Sequence, residues 1–159
     1  MVFLIHLLSN RITILMKKFG LFLALIFFFS YQLASQEAAS IIGVWKTVDD
    51  QSKDVRVHVQ IYEFEGRLYG KIVKLFKSPS GMRCSICPGD LKDQPLQGMV
   101  IVEKLQLAGG FYKNGKILDP QDGKWYSCQM WLKDGDPNVL VVRGFLGFLY
   151  RTQNWYRVE

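Results

Sequence analysis

The sequence predicts an all-β chain: a small antiparallel, lipocalin-like barrel of about eight strands, with a β-sandwich as the alternative closure. Three observations carry this prediction. Apolar residues recur at every second position from Ile41 onward, turn residues interrupt them at short intervals, and no stretch beyond residue 40 holds a helical period. Closing the sheet also removes the exposed strand edges that invite aggregation.

The elements follow in order. Gly43-Val44-Trp45 opens the first strand. Val55, Val57, Val59 and Ile61 alternate with Arg56, His58, Gln60 and Tyr62, so the first set faces a core and the second solvent. Glu65-Gly66 turns the chain into a partner strand over 68–76. A loop over 77–97 follows, punctuated by Pro79, Gly81, Pro88, Gly89 and Pro95. Residues 99–107 read as a strand that ends at Gly109-Gly110. Asn114-Gly115 predicts a further hairpin turn, leaving Ile117-Leu118 as a short strand stopped by Asp119-Pro120. Residues 125–132, 139–145 and 152–158 complete the set, with Asp134-Gly135-Asp136-Pro137 as a turn. The pattern holds no internal repeat or linker, so 36–159 reads as one domain.

Residues 1–35 are of a different kind. They carry Arg11, Lys17 and Lys18 and no acid, and Lys17-Lys18 precedes an apolar run from Phe19 to Phe29. A basic start, an apolar centre and small residues before a polar boundary are the order of a secretory signal. Met16 reads as the true start, Met1 to Leu15 as an over-long one, and cleavage falls after Ala34 or Ser35. The alternative is an uncleaved anchor, but a spanning helix needs about 20 apolar residues and this run is shorter. The expectation is therefore export to the periplasm or beyond, with no stable membrane span after cleavage.

Charge narrows the partners. The chain has 20 basic and 14 acidic residues, and setting aside the three basic residues of the leader leaves a surplus of three. Phosphate recognition needs clustered Lys and Arg, and these are scattered, so nucleic acid is excluded as a partner.

Chemistry is narrowed further by what is scarce. His58 is the only histidine past the leader and falls on the solvent-facing register, which argues against a Ser-His-Asp triad, a Cys-His pair or a histidine metal site. Asp49-Asp50, Asp119 with Asp122, and Asp134 with Asp136 sit where turn-forming aspartates belong. Cys84-Ser85-Ile86-Cys87 has redox and zinc spacing, but a zinc site wants a second such pair, and Pro88-Gly89 replaces the helix start of a thiol oxidoreductase. The reading is a disulfide ring between Cys84 and Cys87, against a bond from Cys128 to one of them or three free thiols. Cys128 lies on an apolar register with Tyr126, Met130 and Leu132, so it reads as a buried thiol. No metal or cofactor is expected. The many aromatic residues either fill a narrow core or line a cavity.

The landmarks Gly43-Val44-Trp45, Gly70-Lys71-Ile72-Val73, Cys84-Ser85-Ile86-Cys87, Asp119-Pro120, Gly123-Lys124, Arg143-Gly144 and Arg151-Thr152-Gln153-Asn154-Trp155-Tyr156-Arg157, in this order, resemble bacterial domain-of-unknown-function family 2147 over 41–159. The resemblance implies a small exported β-protein without an established reaction. Gly43-x-Trp45 also resembles lipocalins, in which the tryptophan closes the narrow barrel end against an arginine of a late strand. That resemblance implies Arg143 or Arg157 over Trp45. Trp45, Arg143, Trp155 and Arg157 are thus the candidate ligand-binding or barrel-closing residues. The expected function is a non-catalytic module for a small apolar or amphipathic ligand. The alternatives are an interaction protein with a filled core, acting on another envelope protein, and a thiol-disulfide role through Cys84 and Cys87.

Overall fold

A computed structural model describes residues 40–49, 51–76, 79 and 81–158. The expected leader, residues 1–35, lies outside the described residues. Eight antiparallel strands run in chain order around a closed barrel. They are β1 (Gly43–Val48), β2 (Val55–Phe64), β3 (Arg67–Leu75), β4 (Val100–Ala108), β5 (Phe111–Asp119), β6 (Lys124–Lys133), β7 (Asp136–Leu146) and β8 (Leu149–Arg157). The sandwich alternative falls away because the two terminal strands pair. Trp45 stands opposite Arg157 and Lys46 opposite Tyr156, and the Val158 amide donates to the Val44 carbonyl at 2.8 Å.

Alternation places the core as the sequence predicts. Val59 and Ile61 of β2, Leu68 and Ile72 of β3, and Cys128 and Met130 of β6 are buried in one cluster with Trp45, Leu105 and Leu140. Val57 packs against that cluster half-buried. Filling by aliphatic side chains suits an eight-stranded barrel, whose interior is wide enough for its own side chains or for one small ligand. The aromatic residues do not fill it as a class. Trp45 and Trp155 are buried, Trp125, Trp131, Tyr126, Phe145, Tyr69 and Tyr156 are half-buried, and Phe111, Phe148 and Tyr150 are exposed.

One turn was placed wrongly by the sequence pattern. Asn114 and Gly115 lie inside β5, and the hairpin closes at Gly109-Gly110 instead. Asn114 takes a left-handed backbone with φ of 64°, and the β5–β6 register shifts between Tyr112 and Gly115, which marks a bulge. A β-carbon on Gly115 would lie 2.3 Å from the Glu103 carbonyl oxygen, so the glycine serves close approach of β4 rather than a turn.

The two barrel ends differ. The turns Glu65-Gly66, Gly109-Gly110 and Asp134-Gly135 are tight and gather at one end. At the other, the 24-residue-scale excursion between β3 and β4 replaces a tight turn. It folds as a small hairpin of its own: Cys84 N–H donates to the Gln94 carbonyl at 2.9 Å, Asp93 N–H to Cys84 at 2.8 Å, and Leu96 N–H to Met82 at 2.9 Å. A short 3-10 turn, Gly89–Leu91, lies at its tip.

Candidate functional site

The closed end is built around Trp45. Its ring is buried and its Nε1 donates to the Ile41 carbonyl at 2.8 Å, so the indole dipole is satisfied inside the barrel. The Arg157 guanidinium lies over the ring, 4.2 Å from its centroid. Its nitrogens donate to the carbonyls of Ile42 at 3.2 Å, Ser40 at 2.8 Å and Pro137 at 3.4 Å. One arginine thus ties the segment before β1 to the start of β7 and covers the tryptophan. Arg143 is elsewhere. It stacks between Trp131, at 5.1 Å, and Tyr150, at 4.7 Å, and its Nε donates to Thr152 Oγ1 at 2.8 Å. Of the two arginines considered for Trp45, position 157 takes the place.

The opposite end of the barrel is open. A cavity of about 900 Å³ opens at the mouth formed by the end of β1, the start of β2, the ends of β3, β5 and β7 and the start of β8. Its apolar wall includes Ile72, Ile101, Ile117, Leu118, Val142 and Trp155. Trp155 is therefore a wall residue of the cavity rather than part of the closed end. Charged and polar side chains stand nearer the rim, among them Asp49, Arg56, Arg83, Asp122 and Arg151.

The rim carboxylates are held by their own turns. Asp49 accepts from the backbone amides of Ser52 and Gln51, both at 2.8 Å, and from the Arg56 guanidinium. These bonds, that of Ser52 foremost, hold its carboxyl far below the usual range. Asp122 accepts from the Tyr126 hydroxyl, and that bond raises the phenol's pKa.

The loop between β3 and β4 reaches over this mouth. Cys84 and Cys87 are joined by a disulfide with their Cα atoms 5.4 Å apart, and Cys84, Ser85 and Ile86 face the cavity. The ring rests on the turn between β5 and β6. Cys84 Sγ lies 3.7 Å from the Pro120 carbonyl oxygen. Gly123 permits the contact: a β-carbon there would fall 2.0 Å from the Ile86 carbonyl oxygen, and its φ of 69° is one that side chains disfavour. Cys128 is a free thiol buried in the wall of β6, and burial pushes its pKa up to about 12. His58 is half-buried rather than exposed. Its ring lies 4.7 Å from that of Phe76, and burial, then Lys74 and Lys46, lowers its pKa. Among the described residues no three His, Cys, Asp or Glu side chains are placed to share a metal ion.

The sequence reading missed two parts of this site. The roles of Gly123 and of the Tyr126–Asp122 bond depend on contacts between distant segments. The only local signal is the Asp119 to Gly123 turn, closed by the Gly123 amide donating to Asp119 at 2.9 Å.

A family model described as an uncharacterized protein conserved in bacteria, DUF2147, matches residues 43–157. The chain belongs to this family. Its match spans all eight strands and both barrel ends, so the closed end, the mouth and the disulfide loop all fall within the family's extent. A solved structure described as "Protein HP1028 from the human pathogen Helicobacter pylori belongs to the lipocalin family" is similar in fold. It has a TM-score of 0.64 at 19% identity, over 76% of this chain and 84% of that one. Among curated proteins none matches the chain. At that identity the likeness to a lipocalin-family protein concerns the fold alone.

Proposed function

We propose that this family member is an exported protein of the bacterial envelope that holds one small apolar or amphipathic molecule in the open half of its barrel, without catalysing a reaction on it. The cavity of about 900 Å³ is the observation that carries the reading. Its size lies within the range of small-molecule sites, roughly 300–1,000 Å³, and its apolar wall with a few polar groups at the rim is their usual chemistry. Export is supported by the order of residues in the leader, and a disulfide suits an oxidising compartment. A thiol-exchange role has less support, since Cys84 and Cys87 are each only 3% exposed and exchange requires an attacking thiolate to reach sulfur. A packed barrel acting only through its surface accounts for the closed half and leaves the mouth without a use.

The test is to purify the protein without denaturant, extract it and identify what it carries by mass spectrometry. The expected result is one dominant apolar or amphipathic species in near-stoichiometric amount. An empty protein that also takes up no apolar compound would overturn the reading.

A further inference from the structure

Trp155 is the deepest residue of β8 to line the cavity. The lining of that strand starts with Leu149 and Tyr150 at the mouth and passes Gln153 before it reaches Trp155. Leu140, opposite Trp155 on β7, is fully buried, and Arg157, two residues further along β8, already covers Trp45 at the closed end. Trp155 therefore forms part of the cavity floor.

This floor carries a polar atom without a partner. Trp155 is only 3% exposed, and its indole Nε1 has no acceptor within hydrogen-bond reach. Among the described residues it is the only buried side-chain nitrogen or oxygen left in that state. Trp45 provides the contrast, since its Nε1 donates to the Ile41 carbonyl at 2.8 Å. An indole N–H can only donate, and buried donors in native proteins are nearly always paired. The apolar wall of Ile72, Ile101, Ile117, Leu118 and Val142 offers it no acceptor side chain.

The charges around the cavity decide what kind of acceptor fits. Four aspartates and three arginines line it, a near balance that favours an ion of neither sign. All of them stand on loops or on the mouth-side ends of their strands. Asp49 is engaged by Arg56 and by turn amides, Asp119 by the Gln121 amide at 2.9 Å, and Asp122 by Tyr126 and the Lys124 amide. A charged group brought down to the floor would be buried without a counter-ion, whereas a neutral carbonyl oxygen avoids that cost. We propose that the molecule held in the barrel is an apolar compound whose leading end bears a neutral carbonyl (a ketone, ester or amide), and that the Trp155 indole donates to it at the cavity floor. The proposal rests on the ligand-holding function stated above and adds the chemistry by which the ligand is recognised.

A matched pair of compounds tests it by displacing the dye N-phenyl-1-naphthylamine from protein purified after expression of the whole coding sequence. 2-Acetylnaphthalene carries the carbonyl, and 2-isopropenylnaphthalene replaces its oxygen with a methylene of similar shape. Trp155→Phe keeps a ring in the floor and removes the N–H, and circular dichroism with the thermal midpoint verifies its fold. The variant should bind the ketone about fivefold or more weakly than the parent does, and the alkene within about twofold of it. Of the four indole N–H signals in the magnetic resonance spectrum of the isotope-labelled parent, one should move downfield with the ketone and not with the alkene. That spectrum decides alone if the variant does not fold. Loss of affinity in Trp155→Phe that is equal for the two compounds, or indole signals that respond alike to both, would overturn the hydrogen bond and leave a ligand-holding barrel standing. Failure of the dye and of both compounds to bind the parent would overturn the ligand-holding function, and this proposal with it.

Discussion

Trp45 concentrates more of the closed end than any other side chain: it is fully buried, bonded to Ile41 and covered by Arg157. Trp45→Ala should cost about 3–5 kcal/mol in urea unfolding, as other large-to-small core changes do. Arg157→Met keeps much of the stacked stem but leaves three carbonyls without their donor, and should cost about 1–3 kcal/mol. Cys128 should resist iodoacetamide at pH 8 in the folded protein and react once it is unfolded, because burial holds it as the thiol. His58 gives a pH signature. Its folded pKa lies below the ordinary 6.5, so the unfolded chain takes up the proton first. Stability is then fully present above pH 6.5 and declines as pH falls from there through the folded value. His58→Gln should flatten that part of the profile. Residue-level legibility was uneven for a physical reason. Cys128 was readable because a two-residue period assigns its face, and the half-burial of His58 was not, because Phe76, just past the end of β3, reaches it.

At the scale of elements, the strands were legible wherever alternation and turn chemistry agreed. β2 and the β2–β3 turn at Glu65-Gly66 lie where the pattern puts them, whereas the turn expected over Asp134-Gly135-Asp136-Pro137 is shorter: it holds Asp134-Gly135, and Asp136 and Pro137 already belong to β7. Asn114-Gly115 misled because a left-handed asparagine followed by glycine serves a bulge as well as a hairpin. Gly115→Ala should therefore destabilise the β4–β5 pairing, by about 1–3 kcal/mol, since its new carbon would meet backbone atoms of Glu103 and Leu105. The loop between β3 and β4 was legible as a loop and as a local disulfide pair, but not as a cover. Its place over the mouth is set by the contact of Ile86 with Gly123, which no local pattern encodes. Gly123→Ala should lift that loop, seen as faster amide exchange over 82–96 with β2 and β6 unchanged. Unaltered exchange there would show that the loop is held without the glycine.

The barrel has one end closed by Trp45 and Arg157 and an open end with a cavity beneath the disulfide loop. Closure itself was legible, since evenly spaced strands without helices leave few other ways to hide edges. The cavity at the open mouth was not, because a period of two gives the facing of each side chain but not how far opposite walls stand apart. The most direct test of the central claim is a titration with the uncharged apolar fluorophore N-phenyl-1-naphthylamine, for the parent protein and for Val142→Trp, which places an indole in the cavity wall. The account predicts saturable one-to-one binding by the parent and about a tenfold or greater loss in the variant, whose fold is verified by its circular dichroism. Binding that does not saturate in the parent, or that the folded variant retains in full, would contradict a ligand held inside the barrel.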